Sequence, residues 1–225
     1  MELSKEQLLQ IDNYIFSCGI KFYDVRAEIV DHFANILEEK LAKNPTLDFK
    51  KEIINIHRNF SNAGFKKLLK EKQKSVSKKF YKQSLKHLST FFKLPKIIIT
   101  IALFYSLLQT MNLFEDKADF FASLSFLGMI SFLVYMSISL VRNKKKKTKF
   151  LSLERNTDFN IFISSLFNLC YQANGFRSEA SFLNATYNQI HLAIFVLIIL
   201  FYWSGEYVFH QNKKVIKEQY PNVIL

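Results

Sequence analysis

Hydrophobic residues are distributed along this chain in two different ways. Up to residue 93 they recur every three or four positions, as in the run that contains Val25, Ile29, Phe33, Ile36, Leu37 and Leu41. This spacing puts them on one face of an α-helix. From Leu94 onward, long apolar stretches replace the periodic pattern. The change predicts an all-α protein in which an N-terminal cytoplasmic helical domain is followed by a four-helix transmembrane bundle.

The periodic part predicts a domain over residues 1–93 with four helices. Their expected ranges are about 4–17, 24–43, 48–60 and 65–92. Ser4 and Gln7 have the spacing of a capping box, in which each side chain accepts a hydrogen bond from the other residue's backbone N–H. Gly19 is expected to end the first helix. Asp24 is expected to cap the second helix by accepting from the N–H groups of its first turn.

Four segments are predicted to span a membrane, because about 20 mostly apolar residues are needed to cross the hydrocarbon layer. Their ranges are 94–114, 120–141, 158–176 and 190–209, which together make a transmembrane domain over 94–209. The third segment contains the most polar residues. We retain it as a span because a three-span arrangement conflicts with the charge pattern. The alternative, a buried hairpin of a soluble protein, is disfavoured because such a hairpin rarely lacks a polar face.

The charges predict an orientation. The turn between the first two predicted spans, "EDKAD", is acidic, whereas residues 142–155 carry seven Lys and Arg residues and the tail 210–225 is basic again. Lys and Arg near membrane spans stay on the cytoplasmic side. We therefore expect a multi-pass protein of the bacterial inner (cytoplasmic) membrane, with both its N- and C-termini in the cytoplasm.

The net charge of +12 predicts a partner with negative charge. The candidate contacts to anionic lipid headgroups are Lys78, Lys79, Lys82, Lys144, Lys145, Lys146, Lys147, Lys213 and Lys214. Headgroups attract each such residue with about 1 kcal/mol. Nucleic acid is the rival partner. It is not expected, because no recognition-helix signature accompanies the lysines and they lie beside predicted spans.

His32 raises the question of a catalytic or metal site. Zinc sites need three or four converging ligands, and the HExxH motif needs two histidines one helical turn apart. Here the next histidine, His57, lies on another predicted helix. We interpret His32 as a half-buried structural residue with an i, i+4 interaction with Glu28. Cys18 and Cys170 have no disulfide or metal-site spacing. We expect no metal, no cofactor and no enzymatic activity.

The segment "DVRAEIVDHFANILEE" resembles the N-terminal helical domain, often called HAAS, of bacterial membrane proteins that are paired with PadR-type transcription regulators. The matching positions are Arg26, Glu28, Ile29, Asp31, His32 and Glu38. The resemblance covers about residues 4–70. It implies a cytoplasmic docking or sensing domain for a protein partner such as a transcription regulator. Arg26, Glu28, Asp31, His32 and Glu38 are then the candidate docking residues.

A polar stripe is predicted along the third span. It consists of Asn160, Ser164, Asn168 and Gln172, which recur at helical spacing. Such side chains hold membrane helices together by hydrogen bonds, and Ser125 and Gly128 of the second span offer a close-packing surface. The alternative is a small transporter or channel subunit in which the stripe lines a solute path. The sequence does not decide whether the chain forms a homo-oligomer.

Overall fold

The computed structural model describes residues 2–59, 64–145 and 148–221. These residues form nine α-helices and a short 3₁₀ helix at Ser89–Phe92, with no β-strand beyond one isolated bridge. The all-α class is therefore confirmed. The helices are α1 (Lys5–Ser17), α2 (Tyr23–Lys43), α3 (Phe49–Asn59), α4 (Gly64–Leu88), α5 (Ile97–Leu113), α6 (Lys117–Lys145), α7 (Leu151–Gly175), α8 (Glu179–Phe182) and α9 (Ala185–Gln219).

The chain divides into two compact units, and each is described by itself. Among the described residues, the first unit contains 2–59, 64–78 and 148–152, and the second contains 79–145 and 153–221. The division after residue 78 comes earlier than the predicted boundary at 93, because Phe80 is buried in the core of the second unit. The boundaries fall inside α4 and inside α7.

The first unit is built as its sequence pattern predicts. Its core consists mainly of the aliphatic face of α1, α2 and α3: Ile11, Ile15, Ile20, Val25, Ile29, Phe33, Leu37, Ile53, Ile56 and Phe65, together with Leu151. The capping box of Ser4 and Gln7 is confirmed, with both reciprocal hydrogen bonds present. Gly19 follows α1 with φ at 96°, a left-handed conformation that favours glycine.

The second unit has an aromatic core. Its largest fully buried side chains include Phe80, Phe121, Phe159 and Phe195, which come from four different helices. Glycines allow the closest contacts in this core. A Cβ atom added at Gly205 would overlap the ring of Phe159, and one added at Gly128 would overlap the ring of Phe167. Small residues at such positions let membrane helices approach one another closely.

Two helices are long and apolar enough to cross a membrane: α9, and α6 over Lys117–Ser139. A third candidate exists if α4 with its 3₁₀ extension and α5, which are bent by 81°, count as one broken span. These are the candidates among the described residues. Helix α7, which covers residues 158–175 of the predicted span 158–176, is not one of them, and it carries several amides and charged residues. The four-span arrangement remains a prediction.

Candidate functional site

The candidate docking residues lie on α2, and Arg26 is already engaged within the first unit. Its Nε donates a hydrogen bond to Asp12 at 2.5 Å, and only 11% of its side chain is exposed. Its guanidinium lies 5.2 Å from the ring centroid of Phe16 and 5.6 Å from that of Tyr23. Arg26 therefore ties α1 to α2 and offers little surface to a partner.

Two of the candidate carboxylates also have partners inside the first unit. Glu28 accepts a hydrogen bond from Lys72 Nζ at 2.6 Å, so its ion pair is with α4 and not with His32. Glu38 accepts from the backbone N–H of Leu3 at 2.9 Å and so holds the start of the chain. The predicted i, i+4 interaction between Glu28 and His32 is thus replaced by a contact between helices.

His32 and Asp31 are exposed. The interpretation of His32 as half-buried is wrong, because the buried stripe of α2 recurs every four residues at 25, 29, 33, 37 and 41 and leaves position 32 outside it. Within the described ranges, no group of three or more His, Cys, Asp or Glu residues could hold a metal ion. The accessible part of the candidate surface is therefore the strip that carries Asp31, His32 and Asn35, next to Glu28, which is exposed but paired with Lys72.

Asp24 fulfils only part of the predicted capping role and has a second, longer-range role. Helix α2 begins at Tyr23 and has no side-chain cap. The Asp24 carboxylate accepts from one N–H group in the first turn of α2, that of Val25, at 3.1 Å. It also accepts from the backbone N–H of Leu151, at 3.0 Å to Oδ1 and 3.1 Å to Oδ2, and from that of Ser152 at 3.4 Å. These are the first two residues of α7. A carboxylate at this position satisfies free N–H groups and complements the positive end of the helix dipole.

The segment before α7 is attached to the first unit by its backbone as well. Tyr23 N–H donates to the carbonyl oxygen of Lys149 at 2.8 Å, next to the bridge between Phe22 and Lys149. Leu151 has no exposed surface and belongs to the core of this unit. Residues 148–152 are thus a structural part of the first unit, although they follow residue 78 by 70 positions in the sequence.

Ion pairs on the outside of the first unit perturb two carboxylates. Lys40 Nζ lies 2.6 Å from Glu52 Oε2 and ties α2 to α3. The hydrogen bond from Lys40, followed by one from Asn55, lowers the pKa of Glu52 below its ordinary value. The hydrogen bond from Lys43 lowers the pKa of Glu39 in the same direction. These contacts stabilise the ionised carboxylates.

The first unit also brings together a thiol and an imidazole that the sequence pattern did not connect. His57 Nδ1 lies 2.7 Å from the hydroxyl of Tyr14 and 3.9 Å from Sγ of Cys18, and its ring stacks on Phe65 at 4.3 Å. Burial raises the pKa of Tyr14. Because one ring nitrogen faces both groups and the hydroxyl is nearer, the thiol is the weaker contact. This cluster joins α1 to α3.

The second unit contains a polar network that joins three helices. The Asn156 side-chain amide on α7 donates to the Tyr135 hydroxyl on α6 at 2.8 Å and to Glu206 Oε1 on α9 at 3.1 Å. Asn160 donates to the same carboxylate oxygen at 3.3 Å. Both asparagines are buried, with 1% and 3% of their surface exposed. Buried amides that share one acceptor hold the three helices in one arrangement.

The predicted stripe is therefore split into two parts. Asn160 is in the network, and Ser164 lines a cleft beside it. Asn168 and Gln172 are exposed; Gln172 donates to Asn168 Oδ1 at 2.5 Å, and Asn168 has a weak contact to the sulfur of Met129 at 3.8 Å. The structure does not bring the four residues together in one site.

The other end of α7 and the start of α9 are joined by Arg177. Its guanidinium donates to the carbonyl oxygen of Ser181 at 2.9 Å and to Asn188 Oδ1 at 2.7 Å, and it lies 3.1 Å from His191 Nδ1. The ring of Phe182 lies 4.0 Å from it. The cation is thus saturated by contacts that stabilise the turn containing α8.

Most of the candidate lipid-contacting lysines that the structure describes are exposed. Lys78, Lys79, Lys82 and Lys214 are exposed, and Lys213 is partly buried. Lys146 and Lys147 lie outside the described residues, and so do the side chains of Lys144 and Lys145.

Sequence patterns missed four participants: Leu151, Tyr135, Asn156 and Glu206. Asn156 carried a usable signal, because it lies four residues before Asn160 and extends the polar stripe by one turn. Glu206 carried another, as the acidic residue within an otherwise uncharged apolar segment. Comparisons with protein families, with curated proteins and with solved structures find no match to this chain.

Proposed function

We propose that this chain is a non-enzymatic, multi-pass protein of the bacterial inner membrane that presents its first unit to a protein partner in the cytoplasm. The two apolar helices α6 and α9 support insertion in a membrane. The observation that carries the proposed arrangement of the chain across the membrane is the attachment of residues 148–152 to the first unit. The proposal needs no cofactor.

That attachment supports the topology. Residues 2–59, 64–78 and 148–152 belong to the same unit, so the chain between residues 78 and 148 leaves this side of the membrane and returns to it. The chain returns to the same side only if it crosses the membrane an even number of times, and α5 and α6 provide two crossings. The turn between them contains Glu115 and Asp116, whereas residues 142–149 are strongly basic, which agrees with the distribution of charge around cytoplasmic loops.

Helices α7 and α9 supply the second pair of crossings in this proposal. The low hydropathy of α7 arises partly from Asn156 and Asn160, which are buried against α6 and α9 and so are not exposed to hydrocarbon. The C-terminus then returns to the cytoplasm. Helix α9 is about 52 Å long at 1.5 Å per residue, so its last turns, with Lys213 and Lys214, extend beyond the hydrocarbon layer toward anionic headgroups.

The exposed strip of α2 is the proposed docking surface. Its chemistry is mixed, with an acidic Asp31 beside His32, and it lies in the segment that resembles HAAS domains. The partner that this resemblance implies is a transcription regulator. Because Arg26, Glu28 and Glu38 are engaged within the unit, their contribution is to hold α2 in place.

Photocrosslinking in living cells tests this function. A photoreactive amino acid at Asp31 or Asn35 of the full chain should yield a discrete adduct with one cytoplasmic protein. The matched control is Lys51, which is equally exposed but lies on α3. The same adducts from Lys51, or only self-adducts at all three positions, would contradict the docking surface.

The alternative is a small transporter or channel subunit, and one observation favours it. Asn160 and Ser164 line a cleft between helices of the second unit. Solute flux in vesicles that contain the purified chain, abolished by Asn160→Leu, would support this function. Self-adducts from the crosslinking experiment would support association with a second copy.

A further inference from the structure

The cleft between α6, α7 and α9 has a volume of about 390 Å³, which is within the range of small-molecule sites. Its walls are mainly apolar and are formed by Leu124, Leu127, Phe132, Ile163, Phe167 and Ile199. The polar lining residues are gathered toward one end, where Tyr135 of α6 and Asn160 of α7 lie. The cleft is therefore apolar along most of its length and has groups that can form hydrogen bonds at one end.

We propose that this cleft binds one acyl chain of a zwitterionic membrane phospholipid. Its lining runs from Leu124 to Tyr135 on α6, which is about 16 Å at 1.5 Å per residue. Half of the hydrocarbon layer is about 15 Å thick. The cleft thus has the length of a chain in one leaflet, with its polar end toward the headgroups. This inference rests on the membrane-spanning arrangement of the proposed function.

The surroundings of the cleft favour hydrocarbon over a protein occupant. Leu127 and Val134 on α6 and Ile161 on α7 are 63%, 54% and 46% exposed, so the helix faces around it are apolar. In a bilayer these faces contact lipid chains. A volume of about 390 Å³ spread over that length is much too narrow for an α-helix, which is about 10–12 Å wide with its side chains.

Glu206 determines which headgroup fits. Its carboxylate accepts from Asn160, which lines the polar end of the cleft. In the described part of the chain, no Lys, Arg or His forms an ion pair with it. A fatty acid would bring a second carboxylate to this unneutralised charge, which is unfavourable, whereas the ammonium group of phosphatidylethanolamine is attracted by it.

The test uses the full chain in vesicles that contain phosphatidylethanolamine with a photoreactive group in the distal half of one acyl chain. Mass spectrometry of the peptides should locate adducts on residues 124–131 of α6 and 163–167 of α7. Ser131→Trp fills the cleft from an exposed position and should reduce these adducts at least fivefold. The matched control is Ser137→Trp, since Ser137 is also exposed on α6 and also donates to a backbone carbonyl; it should leave them unchanged.

A second readout needs no variant. Unlabelled phosphatidylethanolamine should compete with the photoreactive lipid for the cleft, so adding it should reduce the adducts until the site is saturated. Adducts spread evenly over the exposed faces of α5, α6 and α9, without competition, would overturn the cleft site. Equal labelling by a photoreactive fatty acid would overturn the choice of headgroup. Failure of the chain to float with the vesicles would instead overturn the membrane arrangement, so the two proposals can be distinguished.

Discussion

In the first unit the buried side chains are apolar and the charged ones are outside, where several form ion pairs. In the second unit the exposed surfaces of α5 and α6 are mainly apolar, and several polar residues are buried. All buried polar residues found in the described part of the chain lie there: Ser84, Ser125, Asn156, Asn160, Asn188, His191 and Ser204. The large exposed hydrophobic residues of the first unit are scattered singly, whereas on α5 and α6 they follow one another closely.

This difference indicates that the surface of the first unit suits water, whereas the apolar helix surfaces of the second unit suit lipid. A helix in water gains free energy when its apolar face is buried. A helix in lipid gains little in this way and associates through close packing and hydrogen bonds between helices. Both units are helical, so secondary structure does not distinguish them. Substitutions that remove apolar volume should be most costly in the first unit, and those that disturb close packing or interhelical hydrogen bonds should be most costly in the second.

The largest effect is expected from Leu151→Ala. This side chain has no exposed surface in the core of the first unit, and such truncations cost about 2–5 kcal/mol. Hydrogen exchange of the α2 amides in the full chain should become faster. The matched control is Leu169→Ala, on the same helix at a position 61% exposed. Unchanged exchange in α2 would mean that residues 148–152 are not part of the first unit.

Gly205→Ala should destabilise the second unit by about 1–3 kcal/mol, the usual cost of overpacking. The new methyl group overlaps the ring of Phe159, which is fully buried. The melting temperature in detergent should fall. Gly175→Ala is the control, because nothing lies within 4 Å of the added methyl group. Equal melting temperatures of both variants would contradict the close contact between α7 and α9.

A smaller effect is expected from Asn160→Leu, about 0.6–2 kcal/mol, because it removes a buried hydrogen bond to Glu206. Asn168→Leu changes the same residue type two turns along α7, where the side chain is exposed and has hydrogen-bond contacts to Met129 and Gln172. Thermal melting in detergent should separate the two variants. A larger loss for Asn168→Leu would show that the exposed half of the stripe holds helices together.

The smallest effect is expected in the first unit, from Lys40→Met. A partly exposed ion pair contributes about 0.2–1 kcal/mol. Since the folded-state pKa of Glu52 is lowered, its contribution is present above the ordinary pKa of a glutamate and is lost as the pH falls through the folded value. The stability of the variant, followed by exchange of α2 and α3 amides, should therefore depend less on pH in the acid range. Identical acid profiles would exclude this pair as a contributor.

Local rules predicted much of the first unit. The apolar face of α2 and the capping box of Ser4 depend on residues within two turns of one another, so spacing was enough to find them. Asp24 shows the limit of prediction from local spacing. Its type and position suited a local cap, and it accepts from the Val25 N–H, but its carboxylate also accepts from Leu151, a partner that is 127 residues away. No pattern within one helix could identify that partner.

The second unit shows the same limit. Periodicity placed Asn160, Ser164, Asn168 and Gln172 on one stripe, but it could not tell which end of the stripe faces Glu206. That depends on the approach of α9, which Gly205 and Phe159 permit. The polar network is a tertiary feature, and its members come from three helices that are far apart in the sequence.

In the proposed topology, the first unit, including residues 148–152, lies on one side of a membrane that α5 and α6 cross as a hairpin. Single cysteines at exposed positions test it in intact cells with a membrane-impermeant thiol reagent. The background carries Cys18→Ser and Cys170→Ala, which replace the two native thiols.

The informative sites are Asn35 in α2, Lys149 before α7, Glu115 between α5 and α6, and Glu179 in α8, all of which are exposed. We expect cysteines at 35 and 149 to react only after the cells are opened, whereas those at 115 and 179 should react at once. Protection of 179 together with reaction at 115 would mean that α7 does not cross the membrane. Reaction at 149 but not at 35 in intact cells would show that residues 148–152 and α2 do not lie on the same side of the membrane.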